Sequence, residues 1–129
     1  MKLKNKMRLF GSLFMLISVL LGAIASHYLE QILASKAISS FQVGVRYLTY
    51  HGIALLLFSN INFSIKKSKR IFFFLITLGS ILFSGSIFIL SFNEVLPFSI
   101  WWVGPITPLG GGILILGWCY SVRCFIKKT

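Results

Sequence analysis

Two histidines, His27 and His51, are the side chains best suited to proton transfer or ligand binding, and Tyr47, Ser84, Ser86 and Thr107 carry the hydroxyls that could join them. A serine beside a histidine can begin a nucleophilic site, because the imidazole takes the hydroxyl proton. The acid that would orient such an imidazole is missing: the two acidic residues, Glu30 and Glu94, both fall between apolar runs. A proton-coupled exporter also lacks its essential group, since it needs a carboxylate inside a helix. Metal-dependent lipid transferases need clustered aspartates, and the chain has no aspartate. Haem ligation by His27 and His51 needs both rings at one depth, whereas their positions differ by about two turns. Cys119 and Cys124 are five apart, which points them to different faces of a helix and rules out the CxxC pair of thiol oxidoreductases. No catalytic residue, metal or cofactor is expected.

What positions these residues is a membrane. Of the 129 residues, 57% are apolar and 12% charged, with a mean hydropathy of +0.89, more apolar than an ordinary soluble domain. The net charge of +11 does not make nucleic acid a partner, because the charges form short clusters between apolar runs and no basic helix or RNA-binding motif accompanies them. Four runs, about Leu9–Ser26, Val43–Phe63, Ile71–Phe92 and Ser99–Val122, approach the roughly 20 helical residues that cross a hydrocarbon core of about 30 Å. Residues 1–129 therefore read as a single transmembrane domain, an all-α integral membrane four-helix bundle.

The basic residues orient it. Four precede the first run, two (Lys36 and, just inside the second run, Arg46) go with the first connection, four (Lys66, Lys67, Lys69 and Arg70) lie in the second, none in the third and three (Arg123, Lys127 and Lys128) in the tail. Positive charge gathers on the cytoplasmic side, so the pattern predicts N-in/C-in. Glu30 and Glu94 then face outward, with Trp101 and Trp102 in an outer aromatic belt. Cys119 and Cys124 fall on the reducing side, where no disulfide is expected. The stretch from Leu29 to Phe41 has near-helical apolar spacing and reads as a short helix on the outer surface. Ser64 to Arg70 reads as a compact basic turn.

Ala23-Ile24-Ala25, after the basic leader and an apolar run, also has the small-x-small form of a signal-peptidase site. The charge pattern does not decide between a discarded export signal and a retained first span, since either orients the rest alike.

Depth sorts the unusual residues. At about 1.5 Å per residue, His27 ends the first span and His51 lies about two turns inside the second. Ser84-Gly85-Ser86 lies roughly 9–12 Å below the outer surface, with Thr107-Pro108 at similar depth and Gly110-Gly111-Gly112 slightly deeper. All are expected in one layer of the outer half of the membrane. Pro108 removes a donor and is expected to leave a carbonyl near Gly104 unpaired. The layer has two readings: an outward-opening polar pocket lined by His27, Tyr47, His51, Ser84, Ser86 and Thr107, or a packing seam in which the small residues let helices approach and His51 is a strut. Packing is the favoured reading.

The motifs "LGAIASH", "VGVRYLTYH", "LFSGSIF" and "ITPLGGGILILGW", in this order and spacing, resemble the YgdD-like family of small bacterial inner-membrane proteins, domain of unknown function family 423. The likeness runs from about Phe10 to Trp118. Its pattern falls on Gly22, Ala23 and His27; on Gly44, Tyr47 and His51; on Phe83, Ser84, Gly85 and Ser86; and on Thr107, Pro108, Gly110, Gly111, Gly117 and Trp118. Ser26, more often alanine, and Arg46, where an acid is common, depart from it. The resemblance implies four spans, a retained first helix and a multi-pass protein of the bacterial cytoplasmic (inner) membrane, with no agreed biochemical activity. The expected function is that of a non-enzymatic accessory or scaffold protein; the alternative is a small-molecule or lipid channel or transporter using the outer-half pocket. Expected partners are membrane lipids and a membrane protein or second copy of the chain.

Overall fold

The computed structural model describes residues 1–63 and 66–127. Four long helices carry the fold: α1 (Leu3–His27), α2 (Ser35–Asn60), α3 (Lys66–Leu90) and α4 (Ile106–Ile126). Short 3-10 turns at Leu29–Gln31 and Trp101–Val103 sit in the first and third connections, and no strand occurs among the described residues. Helices are the natural outcome for such apolar runs, because in hydrocarbon every backbone N–H and C=O must be satisfied within its own segment.

Three stretches, Leu3–Gln31, Lys67–Leu90 and Trp101–Ile126, are long and apolar enough to cross a membrane. The long helix outside that set is α2, which carries Arg46, Thr49, His51, Ser59 and Asn60. Its interior position accounts for this: nine of its residues are buried, against five in α1. It packs between α1 and α3, while α4 packs along α3, leaving α1 and α4 as opposite flanks. Gly11 of α1 and Gly52 of α2 allow the closest approach of these two helices, since a Cβ at Gly11 would lie 2.9 Å from the Gly52 carbonyl oxygen.

At one end of the bundle the N-terminus, the α2–α3 connection and the C-terminus come together. Arg8 donates from Nη2 to Asn60 Oδ1 at 2.8 Å, and the Tyr120 hydroxyl donates to Ser68 Oγ at 3.2 Å. Lys69 Nζ donates to the carbonyls of Ser59 (2.7 Å) and Ile61 (2.9 Å). These are carbonyls at the end of α2 that lack helical partners, and a cation there also meets the negative end of the helix dipole. The opposite end holds the other two connections, where Ala25, Leu29, Leu33, Ile38 and Phe41 form a second apolar cluster. Ala25 is thus a core residue of a continuous α1, and Met7 and Phe14 of the same helix are buried in the main core.

Three expectations about elements are corrected. The amphipathic stretch before Phe41 is not a separate surface helix; α2 starts at Ser35, and Ile38 and Phe41 continue the buried face of Gly44, Leu48 and His51 at i+3/i+4 spacing. The basic turn is shorter than Ser64 to Arg70, because α3 already begins at Lys66; Ser64 and Ile65, like Lys128 in the tail, lie outside the described residues. The fourth span does not begin as α-helix near Ser99. A 3-10 turn comes first and α4 starts at Ile106, which puts Pro108 in its first turn. A first-turn proline breaks no helical hydrogen bond, and the Gly104 carbonyl accepts from Thr107 N at 3.3 Å.

Candidate functional site

Four of the polar residues singled out above, Ser86, Thr107, Ser84 and His51, form a ladder along the bundle instead of one layer. Nearest the connection end, Ser86 of α3 meets Thr107 of α4, Oγ to Oγ1, at 2.7 Å. Ser86 also donates to the Phe83 carbonyl at 2.9 Å. A serine has one hydroxyl proton, so Thr107 is the donor between the two side chains. Deeper, Ser84 Oγ donates to the Gly44 carbonyl of α2 at 2.9 Å. His51 is deeper still, because α2 begins well before Val43: sixteen residues from Ser35 place it about 24 Å along the helix.

His51 joins α2 to α4. Trp118 Nε1 donates to His51 Nε2 at 3.1 Å. An indole N–H can only donate, so Nε2 is the acceptor and the proton sits on Nδ1, which donates to the Tyr47 carbonyl at 2.6 Å. The imidazole is therefore neutral, held in one tautomer, with both nitrogens used. Neither Ser84 nor Ser86 bonds to it. Trp118 is held in turn by edge contacts with Phe58 and Phe72, centroids 5.9 Å away in each case.

The remaining candidates divide by environment. Gly110 packs hardest: a Cβ there would lie 2.4 Å from the backbone nitrogen of Phe83. Gly111 faces the Phe83 ring and Gly22 faces Val45, both at ordinary contact distance, while Gly85 faces open space. Tyr47 is exposed but lies over Phe83, ring centroids 4.8 Å apart. Pro108 is exposed. His27 is not brought to the ladder; it ends α1 with an exposed side chain, and its carbonyl accepts from Gln31 Nε2 at 3.1 Å. The ladder's main omission from the candidate set is Trp118, which had stood out only as part of the family pattern. Gly11, Gly52 and Gly79 were also missed as close-approach points; a lone glycine inside a long apolar helix was their signal.

Two clefts open between α2 and α4, with α3 as their floor. The deeper, about 590 Å³, is bounded chiefly by Tyr47, His51, Phe83, Leu114, Ile115 and Trp118. The other, about 470 Å³, lies toward the connection end and includes Lys36, Ser40, Ser91, Asn93, Glu94 and Thr107. Among the described residues, no group of three or more His, Cys, Asp or Glu side chains is placed to hold a metal ion.

An all-helical bundle with three such apolar helices and a polar ladder turned inward defines a multi-pass integral membrane protein. Residues 21–111 match the family described as "Protein of unknown function (DUF423)". The chain belongs to that family. It is 35% identical over 124 residues to a UPF0382 membrane protein of Staphylococcus haemolyticus, covering 94% of this chain and 98% of the relative. A UPF0382 membrane protein of Haemophilus influenzae is 35% identical over 116 residues, 90% of each chain. The UPF0382 inner membrane protein YgdD of Escherichia coli is 28% identical over 116 residues, 87% of this chain and 82% of its own. With these relatives the protein is placed in the bacterial cytoplasmic (inner) membrane. No solved structure matches the chain.

Proposed function

We infer that this protein is a non-enzymatic scaffold or accessory component of the membrane, whose ladder locks its helices and leaves lipid-facing flanks for a membrane protein, a second copy or lipid. The observation that supports this is the use of every ladder side chain in holding the bundle. His51 has both nitrogens bonded, Ser84 is tied to Gly44, and Ser86 and Thr107 are tied to each other. Each of these bonds ties a side chain to a neighbouring helix or to its own backbone, which is what a strut does.

The strut reading has a direct test. His51→Leu is expected to lower stability in mixed micelles by about 1–2 kcal/mol and Trp118→Phe by about 1 kcal/mol, the range for interhelical hydrogen bonds in membranes. Because the two share one bond, the double variant is expected to fall short of the sum. An unchanged unfolding midpoint for both single variants would overturn the reading.

The alternative, a small-molecule or lipid channel or transporter, draws on the clefts between α2 and α4. The orientation carries over from the charge asymmetry, with termini and the α2–α3 connection cytoplasmic. A green-fluorescent reporter fused to the C-terminus is expected to fluoresce and alkaline phosphatase at the same point to be inactive. The reverse pair of results would invert the topology.

A further inference from the structure

The two clefts follow one another along the groove between α2 and α4. Thr107 of the shallower and Gly111 of the deeper are one turn apart on α4, and Ile87 and Phe83 are one turn apart on α3. The groove exists because α2 and α4 both pack on α3, and Gly104 and Gly111 are among the residues that line it. Its chemistry changes along its length. The deep part is aromatic and aliphatic, its one imidazole already bonded. The part at the end that holds the first and third connections is lined by Lys36 of α2 and by Asn93 and Glu94 of the α3–α4 connection. Lys36 and Glu94 both line this cleft, and no ion pair between them is found among the described residues.

We propose that this groove holds one phospholipid with an amine-bearing headgroup, its phosphate at Lys36, its ammonium at Glu94 and an acyl chain along Phe83, Leu114 and Ile115. The order of polar then apolar lining is that of a lipid entering from the membrane surface. The opposed charges fit a zwitterion, whereas a lipid with a phosphate and no amine meets an uncompensated carboxylate. Both volumes fall in the range of small-ligand sites, about 300–1,000 Å³. The proposal rests on the strut reading, because the His51–Trp118 bond is what fixes the spacing of α2 and α4.

Native mass spectrometry of the full chain, supplied with equal amounts of phosphatidylethanolamine and phosphatidylglycerol in gentle detergent, tests it. The expected result is a single retained lipid with about tenfold preference for phosphatidylethanolamine, equivalent to about 1.4 kcal/mol. Glu94→Gln, at an exposed connection residue, is expected to abolish that preference, and Lys36→Gln to weaken retention of both lipids. Ile115→Trp, at a position 65% exposed, fills the deep part and is expected to remove the lipid while the unfolding midpoint stays unchanged. Equal retention of both lipids, a preference that survives Glu94→Gln, or a lipid-free dimer would each overturn the proposal. The strut reading fails separately, through the stability of His51→Leu, so the two failures are distinguishable.

Discussion

Gly110→Ala is expected to destabilise the bundle by about 3 kcal/mol, the upper part of the usual range for overpacking. The reason is what the added methyl would strike. Its Cβ would lie 2.4 Å from Phe83 N, 2.8 Å from Phe83 Cα and 2.9 Å from the Leu82 carbonyl carbon. All three are backbone atoms of α3, so no side-chain rotation relieves the clash and the two helices must separate. Separation would stretch the Ser86–Thr107 bond one turn away and pull Leu114 from Gly79, where a Cβ would already lie 2.8 Å from Leu114 Cγ. Gly112, two residues on, has no atom within 4 Å of its would-be Cβ. Gly112→Ala is therefore expected to be neutral within about 0.5 kcal/mol, as befits an open surface position. Denaturation in mixed micelles followed by circular dichroism compares them. Equal midpoints for the two variants would mean that the α3–α4 contact is not set at Gly110.

The contrast between these glycines shows where sequence reading stops. "GGG" marked a place of close approach, yet three consecutive helical residues point about 100° apart, and nothing local says which one faces the neighbour. His51 is a similar case. Its cost inside a membrane announced a partner, but the Trp118 indole is 67 residues away in sequence, and a hydropathy-based start of α2 at Val43 set the ring too shallow to meet it. Starting α2 at Ser35 turns the expected layer into a ladder.

What was legible depended on long-range physics that leaves a local trace. Apolar length gave the positions of the helices, and lysine and arginine clusters marked their ends. The first two turns of α2 escaped because Ser35, Lys36, Ser39 and Ser40 dilute the hydropathy, although Ile38 and Phe41 were already in phase with the buried face. The start of α4 escaped for the converse reason: Ile100, Trp101 and Val103 are apolar, but Pro105 has no N–H with which to continue a helical ladder from the 3-10 turn before it. Hydropathy measures solvent preference and is blind to backbone dihedrals.

Phe72→Ala is expected to cost about 2–3 kcal/mol. Phe72 is fully buried in the main core beside Ile76, Leu55 and Leu114. It stacks on Phe58 at 4.4 Å and 19°, lies 5.7 Å from Phe63, and meets Trp118 edge-on at 5.9 Å. In a soluble core this truncation costs about 3–5 kcal/mol. In a membrane the transfer part shrinks, since a separated helix still lies in hydrocarbon, while the lost dispersion contacts and the cavity remain. Phe72→Leu, which keeps most of the volume, is expected to cost about 1 kcal/mol. The ring also braces the indole that bonds His51, so its removal should loosen a contact it does not itself make. In a double-mutant cycle, Phe72→Ala and His51→Leu are therefore expected to couple by about 0.5–1 kcal/mol. Additive effects, within about 0.3 kcal/mol, would mean that Trp118 is held by Phe58 and its own helix alone, and that the aromatic core and the polar ladder are independent.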